Sequence, residues 1–254
     1  MTSFERIFIV VAFLSISAAS SANADSLQTG AFTASFTTKE LLGEAASQID
    51  SVISQDEALT WEVYVPPGYR SDSPAGLLVY ISPMASGALP RKWDRVMDQH
   101  NLIWISANRS GNRVPVPRRI LLATLSILVA ERSYAVDSKR VFISGFSGGG
   151  KVASTVAASN PNLFSGGIFI GGAESSRLEG TDYFQNMNSN RYVFLTGSKD
   201  KAYGQTRLGF RAFRDAGVEH TKFMVVHGMN HRTPEYSDLA EAIEFLDSSD
   251  DAVQ

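Results

Sequence analysis

The apolar residues of this chain form short continuous runs separated by longer segments in which they recur at helical spacing. Short apolar runs bounded by turn residues are typical of strands that are covered on both faces, as in a parallel sheet. Such strands are predicted at residues 77–81, 102–106, 141–144, 167–170, 192–196 and 222–226. A further strand, 61–65, alternates apolar and polar residues and ends at the turn Pro66-Pro67-Gly68.

Helical segments lie between these strands, and they are predicted at residues 92–99, 120–133, 152–158, 206–216 and 234–246. Strands that alternate with helices form βαβ units with right-handed crossovers. We therefore predict an α/β fold, a single domain over residues 61–254 with a mostly parallel, doubly wound sheet. Residues 25–60 are more polar and are predicted to be an N-terminal extension with one helix at 38–53.

The first 24 residues have the pattern of a secretory signal peptide. Arg6 precedes an apolar stretch at 7–16, and Ala22-Asn23-Ala24 is a small-x-small cleavage site. A membrane anchor is the alternative, but it needs about 18 or more consecutive apolar residues, and serines interrupt this run from Ser15 onward. The mature protein is therefore expected to be secreted or periplasmic, with no membrane span after the leader is removed.

Composition narrows the possible functions. The chain has 254 residues, of which 44% are hydrophobic, enough for one substantial core. Its 23 Lys and Arg against 26 Asp and Glu give a net charge of -3 without a basic block, which argues against a nucleic acid partner. It has no cysteine, so disulfides, thiolate metal sites and a catalytic thiol are excluded. No metal and no cofactor are expected.

The most informative motif is Gly145-Phe146-Ser147-Gly148-Gly149, a GxSxG sequence between the predicted strand 141–144 and the predicted helix 152–158. In a nucleophile elbow the serine occupies a tight turn between a buried strand and a helix, so that its hydroxyl is accessible. The flanking glycines allow the backbone to approach closely. Ser147 is therefore the candidate nucleophile.

A serine nucleophile needs an imidazole to take its proton and a carboxylate to hold that imidazole. Functional groups of open α/β sheets gather beyond the carboxyl ends of the strands. Asp200 follows the strand 192–196 and His231 follows 222–226, which makes them the candidate acid and base.

Alternatives exist for both assignments. Glu174, which follows the strand 167–170, is the alternative acid, and His227 is the alternative base. His227 and His231 are four residues apart, a metal-binding spacing on a helix, but Gly228 between them indicates a loop. A metal pair is therefore not favoured.

Acyl transfer also needs N–H donors for the developing oxyanion. Gly148 is the first candidate donor. The second is expected in the loop after the strand 77–81, where Ser82-Pro83-Met84 stands; Pro83 has no N–H, which leaves Met84 or the next residue, Ala85. Arg109 follows the strand 102–106 and is a candidate for binding an anionic group of the substrate.

Together these residues resemble the α/β-hydrolase superfamily over residues 61–246. Residues 63–69, 140–149 and 161–164 are similar to those of secreted serine esterases related to polyhydroxyalkanoate depolymerases and feruloyl esterases. The resemblance implies hydrolysis of a small-molecule or polymeric ester through an acyl-serine intermediate. Such enzymes often carry His-Gly where this chain has Ser82-Pro83.

Two other functions stay open from the sequence. One is a serine peptidase of the same fold, and the other is a non-catalytic binding protein that keeps the fold. The sequence predicts no particular oligomeric state.

Overall fold

A computed structural model of the protein describes residues 27–175, 187 and 189–248. The predicted signal peptide, 1–24, lies outside the described residues, so its removal stays a prediction. Eight strands form one sheet. They are β1 Gly30–Phe36, β2 Leu59–Val65, β3 Ala75–Ile81, β4 Leu102–Ala107, β5 Val136–Phe146, β6 Gly166–Ile170, β7 Arg191–Gly197 and β8 Thr221–Val226.

Six α-helices accompany the sheet within the described part of the chain. They are α1 Thr38–Leu42, α2 Asp94–His100, α3 Val116–Glu131, α4 Gly148–Ser159, α5 Tyr203–Asp215 and α6 Tyr236–Asp247. A 3-10 helix, Gly43–Gln48, follows α1. The predicted helix 38–53 is therefore wrong in length, because Gly43 has a φ of 58° and ends the α-helix.

The strand order is β1-β2-β4-β3-β5-β6-β7-β8. β1 and β2 run antiparallel to their neighbours, whereas β4, β3, β5, β6, β7 and β8 pair in parallel. The predicted fold class, a mostly parallel sheet of the α/β-hydrolase type, is confirmed. β3 and β5 are neighbours at the centre of the sheet. β4 follows β3 on one side of this pair, whereas β6, β7 and β8 follow β5 on the other side. Sites of open α/β sheets form at such a switch point.

Part of the predicted N-terminal extension belongs to the sheet. β1 pairs with β2 from Gly30 opposite Val65 to Phe36 opposite Leu59. Its side chains alternate between half-buried and exposed, and Phe32 is among those that pack against the core. The sequence did not predict this strand.

The core has two layers, one on each face of the sheet. Apolar residues of α3, α4 and α5 cover one face, and those of α2 and α6 cover the other. β3, β4, β6 and β7 are buried along their whole length because helices lie on both sides. Within the described residues, no helix combines the length and the apolar character needed to cross a membrane.

Candidate active site

The nucleophile elbow is a single residue wide. β5 ends at Phe146 and α4 begins at Gly148, so that Ser147 alone makes the turn. Its φ of 56° and ψ of -120° lie outside the regions that L-residues usually occupy. The Ser147 N–H donates a hydrogen bond to the Ile170 carbonyl of β6 at 2.8 Å, which helps to hold the turn.

The glycines of the motif are required by close contacts. A Cβ on Gly149 would lie 1.9 Å from the Ile81 carbonyl oxygen, and one on Gly145 would lie 2.5 Å from the Gly149 carbonyl. Both obstacles are backbone atoms of packed elements. At Gly148 the obstacle is a flexible side chain, the Asn112 carboxamide, at 2.2 Å. The elbow therefore depends most strictly on Gly145 and Gly149.

Replacing Gly149 by alanine should destabilise the protein by about 1–3 kcal/mol or more, because the new methyl group forces apart the end of β3 and the start of α4. Chemical denaturation followed by circular dichroism measures the change. Gly204→Ala is the matched control, since Gly204 is also helical and a Cβ there meets nothing within 4 Å. Equal stability of the two variants would contradict the packing argument.

The structure brings Ser147, His231 and Asp200 into one hydrogen-bonded row. The distance from Ser147 Oγ to His231 Nε2 is 2.9 Å, and the distance from His231 Nδ1 to Asp200 Oδ1 is 2.8 Å. A carboxylate only accepts, so Nδ1–H donates to Asp200 and Nε2 is left to accept the Ser147 proton. Asp200, and not Glu174, therefore orients the imidazole, while His227 is exposed on the loop after β8.

The Asp200 carboxylate is fixed from several sides. Its side chain is fully buried. Besides His231, Oδ1 accepts the Ala202 N–H at 2.7 Å, and Oδ2 accepts the Thr196 hydroxyl at 3.3 Å. A Cβ on Gly171, whose φ is 56°, would lie 3.0 Å from Oδ2 and 3.4 Å from His231 Cε1. The Asp200 carboxylate and the His231 imidazole are therefore closely packed, which leaves both side chains little room to move.

The His231 ring is held by packing as well as by hydrogen bonds. It lies against Phe146, with ring centroids 4.8 Å apart and an interplanar angle of 37°. The same loop is anchored by Trp93, whose indole N–H donates to the Pro234 carbonyl at 3.1 Å, and by Met229, whose carbonyl accepts the Lys199 N–H at 3.0 Å. These contacts place the imidazole before substrate arrives.

The two candidate oxyanion donors differ. Gly148 is the first residue of α4, so its N–H has no acceptor inside the helix and lies at the positive end of the helix dipole. The Met84 N–H donates to the Ser82 hydroxyl at 3.1 Å, and Met84 is 68% exposed. Met84 can stabilise an oxyanion only if it exchanges that bond, so its role, with Ala85 as the alternative, stays a prediction.

Arg109 joins the site mainly through its backbone. Its N–H donates to the Ala85 carbonyl at 2.6 Å, which ties the loop after β4 to the loop after β3. Its side chain is exposed. A hydrogen bond from Arg118 lowers the pKa of Glu57, and the charge of Arg109 adds to this effect. Substrate binding by Arg109 stays a prediction.

Three residues next to the row were not predicted. Phe146 is the variable position of the GxSxG motif, and nothing in the motif itself indicates that it packs against the histidine. Thr196 ends the predicted strand before Asp200, where a hydroxyl near the acid could have been noticed. Asn112 reaches Gly148 from the loop after β4 and has no sequence pattern of its own. In the described part of the chain, no group of three or more His, Cys, Asp or Glu side chains is arranged to hold a metal ion.

A serine at a nucleophile elbow, bonded to a histidine that is bonded to a buried aspartate, defines a serine hydrolase of the α/β-hydrolase class. The order of the three residues along the chain, Ser147, Asp200 and His231, is the order of that class. Residues 121–254 match the prolyl oligopeptidase family, and the chain belongs to that family. It is therefore a serine hydrolase enzyme.

Several solved structures share this fold. A ferulic acid esterase is 15% identical with a TM-score of 0.62, and the match covers 86% of this chain and 96% of the other. A poly(3-hydroxybutyrate) depolymerase from Bordetella parapertussis is 16% identical with a TM-score of 0.61, covering 95% and 98%. An S-formylglutathione hydrolase from Staphylococcus aureus is 14% identical with a TM-score of 0.57, covering 87% and 97%. At these identities the likeness shows the fold, and the predicted resemblance to the α/β-hydrolase superfamily is confirmed.

Proposed function

We propose that this protein hydrolyses carboxylic esters through an acyl-serine intermediate. The observation that carries the proposal is the continuous hydrogen-bonded row from Asp200 through His231 to Ser147, with both distances below 3 Å. A hydroxyl becomes a strong nucleophile at neutral pH only when a base can remove its proton as it attacks. In this row the base is already in place and oriented.

In the first half of the reaction, Ser147 Oγ attacks the ester carbonyl carbon and its proton moves to His231 Nε2. The carbonyl π electrons move onto the oxygen, which lies beside the Gly148 N–H. When the tetrahedral intermediate collapses, the C–O bond to the alcohol breaks and the alkoxide takes the proton from Nε2. The alcohol leaves, and the acyl group stays on Ser147.

In the second half, a water molecule repeats the attack on the acyl carbon and gives one proton to His231. The bond between Ser147 Oγ and the acyl carbon then breaks, and Nε2 returns the proton to Oγ. The carboxylic acid is released and the enzyme is regenerated. Asp200 keeps its negative charge throughout and stabilises the imidazolium that forms twice.

Ester hydrolysis is favoured by the extent of the structural likeness. The match covers 96% of the ferulic acid esterase and 98% of the depolymerase, so the whole compact fold of these enzymes is the shared unit. Small-molecule and polymeric esters are both candidate substrates.

The second candidate function is peptide hydrolysis, which the match to the prolyl oligopeptidase family favours. We also propose export of the protein, which rests on the composition of residues 1–24.

The test combines a covalent probe with a pair of substrates. We expect a fluorophosphonate to label the folded mature protein on Ser147, located by mass spectrometry of the digested protein, and to leave the heat-unfolded protein unlabelled. We expect short-chain nitrophenyl esters to be turned over and proline-containing peptide nitroanilides to be left intact. Turnover of the anilides alone would replace the esterase by the peptidase. An unlabelled Ser147 in folded protein would contradict both and favour the binding protein.

A further inference from the structure

Arg119 is a buried arginine in the first turn of α3. It is 4% exposed, and it forms no ion pair with a carboxylate among the described residues. Instead its guanidinium donates to three backbone carbonyls. Nε–H donates to Ser110 at 2.6 Å, Nη2–H to Ser82 at 3.1 Å and Nη1–H to Gly148 at 3.3 Å.

Such an arrangement is costly for the fold. Burial disfavours the charged guanidinium and lowers the pKa of Arg119, because neutral carbonyls replace hydration less well than a carboxylate partner would. Its neighbour Arg118 shows the ordinary alternative, since it pairs with Glu57 at the partly exposed side of the same helix. The three acceptors of Arg119 therefore require an explanation beyond helix stability.

All three acceptors lie at the edge of the sheet where the candidate oxyanion donors lie. Ser82 begins the loop after β3, two residues before Met84, and Gly148 is both an acceptor for Arg119 and the first candidate donor. Ser110 belongs to the loop after β4. One rigid, planar group thus connects the backbone segments on both sides of the space where an oxyanion would form.

Other contacts join the loops after β3 and β4, and the Asn112 carboxamide also lies against Gly148 of the elbow. The Asn112 N–H donates to the Pro83 carbonyl at 3.0 Å, and a Cβ on Gly111 would lie 2.7 Å from the Met84 carbonyl carbon. These contacts hold the two loops against each other. Among these contacts, the bond from Arg119 Nη1 to Gly148 is the hydrogen bond that ties both loops to the first turn of α4.

We propose that Arg119 is a positioning residue that sets the distance between the loop after β3 and the Gly148 N–H, and so the geometry of the oxyanion site. It does not touch substrate. The inference rests on the proposed ester hydrolysis by Ser147 and adds a residue that this mechanism does not by itself require. It accounts for the burial of a cation that has no counter-ion among the described residues, because a guanidinium offers a planar set of donors to three carbonyls and no other side chain offers that set.

The test compares Arg119→Lys and Arg119→Met with Arg118→Met. We expect kcat for a nitrophenyl ester to fall by about 10² to 10³ in Arg119→Met, the loss typical of a missing oxyanion donor, while KM stays nearly unchanged because ground-state binding is retained. Arg119→Lys keeps the positive charge but not the planar set of N–H donors, so its kcat should lie between those of Arg119→Met and the wild type. Arg118→Met removes an arginine of the same helix whose hydrogen bonds go to Glu57 and to the Val52 carbonyl, so its kcat should equal that of the wild type.

A boronic acid supplies a readout that a merely structural role would not move. It forms a tetrahedral adduct with the serine that resembles the intermediate, so its inhibition constant should rise in proportion to the loss of kcat. Circular dichroism checks that each variant is folded, and Arg119→Lys keeps the test decisive if Arg119→Met does not fold. If folded Arg119→Lys matches Arg118→Met in kcat and in boronic acid inhibition, the inference is overturned and ester hydrolysis stands. If the wild type neither turns over esters nor reacts with a fluorophosphonate, the proposed function fails and the inference falls with it.

Discussion

Replacing Ser147 by alanine should lower ester turnover on the order of 10⁶-fold, the loss seen when the nucleophile of a serine hydrolase is removed. Ser147 Oγ is the atom that bonds to the acyl carbon, and no neighbouring hydroxyl is placed to act in its stead on His231 Nε2 among the described residues. Initial rates with a nitrophenyl ester measure the change. The residual rate is too low for KM to be determined separately. The initial rate at low substrate concentration, which is proportional to kcat/KM, is therefore the quantity to compare.

Ser144→Ala is the matched control for this variant. Ser144 lies on β5, which ends directly before Ser147; it is fully buried and donates its hydroxyl to the Ile168 carbonyl at 2.8 Å. Its loss should cost stability, of the order of 1 kcal/mol, and leave turnover intact. If Ser147→Ala kept the turnover of the wild type, the nucleophile would lie elsewhere and the proposed mechanism would be wrong.

Replacing Asp200 by asparagine should lower kcat by about 10⁴-fold with little change in structure. The buried carboxylate accepts the His231 Nδ1–H at 2.8 Å. An asparagine amide can donate to Nδ1 instead, which moves the ring proton to Nε2 and removes the lone pair that Ser147 needs. Steady-state kinetics with the folded variant measure the loss.

Two further variants make this second experiment specific. Thr196→Val removes the 3.3 Å hydrogen bond to Asp200 Oδ2 but leaves the carboxylate, so its loss of activity should stay within about tenfold. Glu174→Gln neutralises the alternative acid and should leave kcat unchanged. A larger loss in Glu174→Gln than in Asp200→Asn would mean that the acid has been wrongly assigned.

The buried parallel strands could be predicted from the sequence because burial on both faces leaves a continuous apolar run. The runs 77–81 and 192–196 lie within strands buried along their length, β3 and β7. β5 was predicted only at 141–144, since residues 137–140 are polar and at least partly exposed, and the pairing of β5 with β3 is irregular between Ala75 and Leu77. β1 was missed although Phe32, Ala34 and Phe36 alternate with polar residues as in a half-buried strand, because the segment 25–60 as a whole is polar and was interpreted as an extension.

The row of three side chains could be anticipated because strand ends in a parallel sheet meet at one edge, so residues distant in sequence converge there. The hydrogen bonds between side chains and the backbone of the loops could not be anticipated from the sequence. The engagement of the Met84 N–H by Ser82 and the three carbonyls held by Arg119 depend on loop conformations that leave no periodic pattern. A sequence clue to Arg119 exists: it stands directly before the uncharged run 120–130.

The turn at residue 147 also restricts which amino acid can serve there. Threonine carries the same hydroxyl as serine, but its branched Cβ crowds the backbone at positive φ, where such residues are rarely tolerated. With a φ of 56° at Ser147, the geometry of the chain favours an unbranched nucleophile before any step of the reaction is considered. The backbone at this corner thus restricts the nucleophile to a side chain that is unbranched at Cβ, as serine is, independently of the substrate.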